Sequence, residues 1–321
     1  MYKIKRVFEK NQQMMRTAYC ETLMELAKDN PNIIALDADL VGSSGMGPFF
    51  KAYSEQSIDC GIAEANMIGI AAGLSATGKI PFAHSFGCFS SRRACDQIMI
   101  SAAYAKLNVK IVGSDPGITA AYNGGTHMPF EDMGVLRSIP QITLIEPTDP
   151  AMTCDIVRQV STLQGVHYIR LARKNVTGIY EDGSTFNIGK GNVLHSGTDV
   201  TIVASGIMIA EALNAAIKLN DQGISAAVVD MFTWKPMDNE LIGQMAAATG
   251  AIVTAENHNI IGGLGAAVAE ASSKTVPVPI EMVGINDMFG QVGTQDYLRT
   301  AYDLTDDAIV KASLRVIERK K

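Results

Sequence analysis

Cys60-Gly-Ile-Ala-Glu64-Ala-Asn-Met-Ile-Gly-Ile-Ala-Ala-Gly-Leu74 places one carboxylate at the head of a stretch that is otherwise apolar and small, and Ile80-Pro-Phe-Ala83 follows closely. At helical spacing Ile62, Met67, Ile70 and Leu74 are expected to form a packing face, while Ala65, Gly69, Ala72 and Gly73 let another backbone approach. The stretch therefore predicts a helix over Glu64–Thr77 feeding a short strand over Ile80–Ala83. A carboxylate in such surroundings is costly to desolvate, so Glu64 is expected to hold a raised, shareable proton. The plainer alternative is a helix-start glutamate favoured by the helix dipole and by water.

Working outward, the same alternation of helix and apolar strand fills the chain. Helices are predicted over Arg16–Lys28, Arg92–Lys106 and Asp149–Gln164, and strands over Ile33–Leu36, Val109–Val112, Thr143–Ile145 and His167–Leu171. After a hydrophilic passage, Thr177–Gly191, a second run begins. It has strands at Val200–Ala204, Ala226–Asp230, Ala251–Ala255 and Ile280–Val283, with helices at Ile209–Gln222, Asn239–Thr249 and Gly265–Ser273. This pattern predicts an α/β protein of two doubly wound parallel sheets, one domain over residues 1–180 and a smaller one over 190–321.

The 321 residues are 47% hydrophobic and 19% charged, ample for a buried core. A net charge of −6 argues against a general binder of nucleic acid or anionic membrane. Cys20, Cys60, Cys88, Cys95 and Cys154 form no C-x-x-C pair or zinc-like spacing, and their odd number fits buried thiols in a reducing compartment. The opening MYKIKRVFEKNQQMM has no apolar core, and no run reaches the length of a membrane helix. A soluble, cytoplasmic protein is the expectation.

In open α/β sheets ligands sit beyond the carboxyl ends of the strands. Three polar clusters are predicted there: Asp37, Asp39 and Ser43; His84-Ser-Phe-Gly-Cys-Phe89; and Asp115–His127, which is long and Gly-rich. Gly262-Gly263-Leu264-Gly265 invites a dinucleotide reading, but it does not follow the first strand and lacks a convincing acidic ribose partner. A helix-start turn packed close to a neighbour is the better expectation.

Several of these segments, in this order, resemble the C-terminal half of transketolase, the thiamine-diphosphate enzyme of ketol transfer. Gly61-Ile-Ala-Glu64-Ala-Asn-Met67 resembles the family's G-[IV]-x-E-x-x-M, and Phe86-x-x-Phe89 its aromatic pair. Gly125-Thr126-His127-x-Pro129 resembles its G-P-T-H-x-P loop, Ala172-Arg173-Lys174-Asn175 its S-R-Q-N, and Asp39-Leu40 with Ser43 its A-D-L-x-x-S. The resemblance spans the chain from about Arg16 onward.

The resemblance implies that Glu64 hydrogen-bonds the ring nitrogen of the cofactor's aminopyrimidine and so promotes loss of the thiazolium proton. Phe86 and Phe89 then stack on the ring, and Asp39 and Arg92 belong to the same cofactor pocket. His127 contacts the sugar oxygens as a second catalytic group, and Arg16, Ser43, Asn123 and Arg173 bind the rest of the substrate. Three positions depart from the pattern. Asn123 stands where an Asp is usual, Asp115 where a phosphate-binding His is usual, and Arg92 where a stacking Tyr is expected. They leave room for an unusual anionic end, a sulfonate as well as a phosphate.

The family's G-D-G…N motif, which holds the diphosphate and Mg (or Ca), belongs to an N-terminal section that this sequence does not contain. The resemblance therefore implies a partner subunit carrying that section, and an α2β2 heterotetramer as the simplest closed assembly. Two rival functions share parts of the pattern: the beta subunit of a 2-oxo acid dehydrogenase first component, and a non-catalytic regulatory or binding subunit. The Gly125–Pro129 loop together with Arg16, Ser43 and Arg173 favours transketolase over the first. Retention of Glu64, both phenylalanines and His127 speaks against the second.

Overall fold

A computed structural model describes residues 1–320 of the chain. Two sheets with flanking helices organise it. The strands are β1 (Ile33–Asp37), β2 (Ser57–Asp59), β3 (Ile80–Phe86), β4 (Lys110–Ser114), β5 (Thr143–Ile145) and β6 (His167–Leu171), then β7 (Asn192–His195), β8 (Val200–Ala204), β9 (Ala226–Asp230), β10 (Thr233–Lys235), β11 (Ile252–Asn259) and β12 (Ile280–Ile285). The first sheet runs β10-β5-β6-β4-β3-β1-β2 and the second β12-β11-β8-β9-β7. Strands β1, β4, β6, β8 and β9 are buried at every position, as strands covered on both faces are.

The sheets are not wholly parallel. Each ends on one antiparallel edge strand, β10 against β5 and β7 against β9. Strand β10 lies beyond residue 190 yet completes the first sheet, so the later part of the chain is stitched into the earlier one. Asp149 ties the connecting passage down. One carboxylate oxygen caps the helix Pro150–Thr162 through the Met152 amide, and the other accepts the Ile179 and Tyr180 amides at 2.8 Å each. None of the described helices is long and apolar enough to cross a membrane.

Several local expectations need correction. Strand β3 continues to Phe86, so His84 and Ser85 are strand residues paired with Val112 and Gly113 rather than loop residues. The segment expected as one helix over Arg92–Lys106 is broken into wide π turns at Phe89–Arg93 and Ile98–Tyr104 around a short α turn at Cys95–Gln97. Such turns recur at functional sites because they re-aim side chains. On the helix Glu64–Ala76 the core face is Met67, Ile68, Ala71 and Ala72, whereas Ile62 precedes the helix and is 74% exposed. Gly69 and Gly73 face outward, with no other atom close to where a side chain would start.

Sheet order brings the carboxyl ends of β6, β4, β3 and β1 side by side. The segments leaving them, beginning at Ala172, Asp115, Gly87 and Ala38, therefore share one rim, where a ligand site is expected.

Candidate active site

Glu64 opens the helix Glu64–Ala76 and is only 1% exposed. It has polar partners despite its apolar neighbours. Arg93 Nη1 donates to it at 2.7 Å, and the Ser85 hydroxyl lies at 3.5 Å. The same guanidinium lies over the face of Phe89, 4.1 Å from the ring centroid. Four residues apart on one helical segment, Phe89 and Arg93 fall on the same side of it. A planar, hydrogen-bond-donating group thus sits between an aromatic face and a buried carboxylate.

The two phenylalanines stand 6.0 Å apart, and His127 meets both edge-on, 5.8 Å from Phe86 and 5.2 Å from Phe89. His127 Nδ1 is 2.9 Å from the Thr126 hydroxyl, which leaves its other nitrogen for a ligand. On the far side of Phe86 comes Arg173, its guanidinium carbon 5.6 Å from that ring. Arg173 Nε lies 3.0 Å from an oxygen of the fully buried Asp115, a residue held at φ +58° directly after β4. Arg16 completes the group: its amide donates to the Arg173 carbonyl and its Nη1 to the Ser43 carbonyl at 3.0 Å.

Burial pushes the Asp115 carboxyl up to about 6, against the pull of Arg173, Lys174 and Arg16. Burial and the Arg173 charge hold His84 down to about 3, so it is a neutral imidazole edge-on to Tyr19 at 5.5 Å. Asp37, at the end of β1, is raised by burial to about 6. The Tyr19 hydroxyl, one Asp37 oxygen, both His84 nitrogens and the Ser90 hydroxyl are buried without a hydrogen-bonding partner among the described residues. Such unsatisfied groups cluster where water or a ligand supplies the missing bonds.

Thus Glu64, Phe86, Phe89, His127, Arg173, Arg16 and Ser43 form one connected set. Asp39 and Asn123 stand exposed on its rim; Asp39 has φ +60°, and its amide donates to Asp59. Arg92 turns to Glu131 instead, at 2.7 Å. Arg93 and Arg170 carry no signal in the sequence that separates them from other arginines. Arg170, fully buried on β6, binds Asp132 and Glu146 and donates to the carbonyls of Pro129 and Asn257. It locks the Gly125–Pro129 loop between the two sheets. The hydroxyl of Ser205 closes the network on Glu146 at 2.6 Å.

The glycine run offers no open helix start to a dinucleotide phosphate. The buried Glu256 carboxylate already occupies the start of the helix Leu264–Lys274, accepting the Leu264 and Gly265 amides at 2.6 and 2.8 Å. Any side chain at Gly263 would strike it.

The rim of this α/β fold thus joins a buried helix-start carboxylate, an aromatic pair and two arginines beside a buried aspartate. Residues 11–178 match the family described as transketolase, pyrimidine binding domain, and residues 189–309 the transketolase, C-terminal domain. The chain belongs to the transketolase family. It is 50% identical to the 6-deoxy-6-sulfo-D-fructose transketolase subunit SqwH of Clostridium sp. (strain MSTE9), over 95% of each chain. It is 37% identical to a subunit of the apulose-4-phosphate transketolase of Phocaeicola vulgatus, over 95% of this chain and 97% of that one. A solved split-gene transketolase, described as an inactive beta4 tetramer, superposes with a TM-score of 0.90 at 44% identity, covering 96% of this chain and 99% of that one.

Proposed function

We propose that this chain is the aminopyrimidine-side subunit of a two-chain transketolase, which moves a two-carbon ketol unit between anionic sugars with thiamine diphosphate. One observation carries the reading: Arg93 fills the space between Glu64 and the Phe89 face with a flat, nitrogen-bearing group. An aminopyrimidine ring is flat and nitrogen-bearing too, so the residues present fit the cofactor's head. Bound there, the cofactor would supply the electron sink that carries the two-carbon unit. Glu64 would hold a proton at the ring nitrogen, and Phe86 and Phe89 would stack and exclude water.

His127 would donate a hydrogen bond where charge develops on the sugar oxygens, and Arg16, Ser43 and Arg173 would hold the remote anionic end. Asp39 and Asn123, on the rim, would close over cofactor and donor, with Arg92 at the pocket's edge. The diphosphate and its Mg (or Ca) would be held by a subunit corresponding to the transketolase N-terminal section, within an α2β2 assembly. Relatives of matching length named as transketolase subunits support this division of labour, as does the tetramer described as inactive for the split-gene relative. They do not favour the dehydrogenase or regulatory alternatives.

Glu64→Gln tests the reading. Gln keeps the size of the side chain but cannot share a proton with a ring nitrogen. The reconstituted mutant should fold normally yet lose about 100-fold or more in ketol transfer, within the range of a lost acid–base group. Deuterium exchange at the thiazolium carbon is the direct readout. Exchange at the wild-type rate would leave Glu64 a structural helix-start residue.

A further inference from the structure

The anion contacts contain a charge that works against them. Arg16 and Arg173 bring two positive charges, and Asp115 returns one negative charge 3.0 Å from Arg173 Nε. Asp115 is fully buried, so solvent screens this charge little. The Arg173 side chain is 14% exposed, and its two terminal nitrogens have no partner among the described residues, so its outer edge is free for a ligand. Lys174 adds a further positive charge but is exposed and screened. Buried Asp115 and the two half-buried arginines together thus carry one net positive charge.

We propose that Asp115 sets the charge class of the substrate, so that the pocket takes an end group bearing one negative charge, a sulfonate, in preference to a doubly charged phosphate. This rests on the ketol-transfer reading above. A sulfonate stays singly charged across the neutral range. A phosphate monoester is close to doubly charged at pH 7, because its second ionisation lies near 6. Placing the dianion beside Asp115 therefore requires one extra proton, carried by the phosphate or by Asp115 itself. Both sites ionise near 6, so above pH 7 the sugar phosphate binds with uptake of a proton while the sulfonate does not.

Around Asp115 the charged groups are Arg173 and Lys174 from the segment after β6, and Arg16 from the helix Met15–Asp29. The Ser114 hydroxyl faces it at 3.5 Å. His84, on neighbouring β3, stays neutral throughout this range, whereas Asp37, one strand further and also raised by burial to about 6, is a second buried carboxylate, whose effect Asp115→Asn separates from that of Asp115.

The test uses the reconstituted two-chain enzyme, with erythrulose as an uncharged ketol donor and a matched pair of aldose acceptors, 6-phospho and 6-deoxy-6-sulfo, that take up the two-carbon unit at their aldehyde carbon. At pH 8 kcat/KM should favour the sulfonate by at least about tenfold. The phosphate-to-sulfonate ratio should rise about tenfold between pH 8 and pH 7, the slope of one proton. In Asp115→Asn, an isostere that tolerates the left-handed backbone, the phosphate should gain about tenfold, mainly through KM, and the ratio should lose its pH slope. If the variant fails to fold, as a thermal melt would show, the wild-type slope still decides.

A wild-type preference for phosphate at pH 8 with a flat ratio would overturn the inference while leaving ketol transfer standing. Transfer from erythrulose to an uncharged aldose as readily as to either anionic acceptor would overturn the anion pocket itself. Absence of ketol transfer from erythrulose and from anionic ketoses alike would instead remove the parent reading, and this inference with it.

Discussion

Arg170 shows how much one residue can hold that a sequence does not advertise. Its guanidinium is fully buried, and four partners share it: Asp132, Glu146 and the carbonyls of Pro129 and Asn257. Removing it strands two buried carboxylates. Arg170→Met should destabilise the chain by about 3–5 kcal/mol, the usual cost of breaking such a set from one side. Urea unfolding measures this, and a loss below about 1 kcal/mol would mean that water enters and repairs the network. Glu64, Phe86, Phe89, His127 and Arg173 were legible because each sits in a short motif whose residue types suit one chemistry. Arg93 was not. Arg92 and Arg93 are adjacent and chemically alike, and only the way their segment packs decides which one meets Glu64 and which one meets Glu131.

At the scale of elements, the buried strands and the amphipathic helices of each βαβ run were readable from apolar periodicity, often to the residue, as for β5, β6, β8 and β9. What escaped was structure that depends on distant partners. The edge strands β7 and β10 are short, and β10 pairs antiparallel with a strand almost ninety residues earlier, about which local pattern says nothing. The helix Glu64–Ala76 is apolar on every side, so periodicity could not say which face is core. In the structure the small face, with Gly69 and Gly73, is open, and Met99, Ile100 and Tyr104 lie exposed on the segment packed beside it.

An open apolar face of this kind fits association. Gly69→Leu should keep the isolated chain folded with an unchanged or raised melting temperature, since glycine inside a helix costs about 0.5–1 kcal/mol. It should also abolish co-sedimentation with the partner subunit. A variant that still assembles at wild-type strength would show that this helix face lies outside the contact.

For the molecule as a whole, the two sheets are joined by β10, by the Arg170 network and by apolar residues of both sheets packed in shared clusters. They are therefore expected to move as one piece when the chain meets another. The rim so formed offers groups for a pyrimidine ring, a sugar and a singly charged anion, and the account assigns the diphosphate and metal to a second polypeptide. The division is a physical one, because the ring pocket alone supplies only part of the cofactor's binding energy. The most direct measurement is calorimetric titration of thiamine diphosphate with Mg²⁺ into the purified chain, then into the chain co-purified with its N-terminal-section partner, with ketol transfer assayed in both. The account predicts weak binding and no turnover for the chain alone, and tight binding with turnover for a complex of about twice the summed subunit masses. Tight binding and turnover by the chain alone would contradict it.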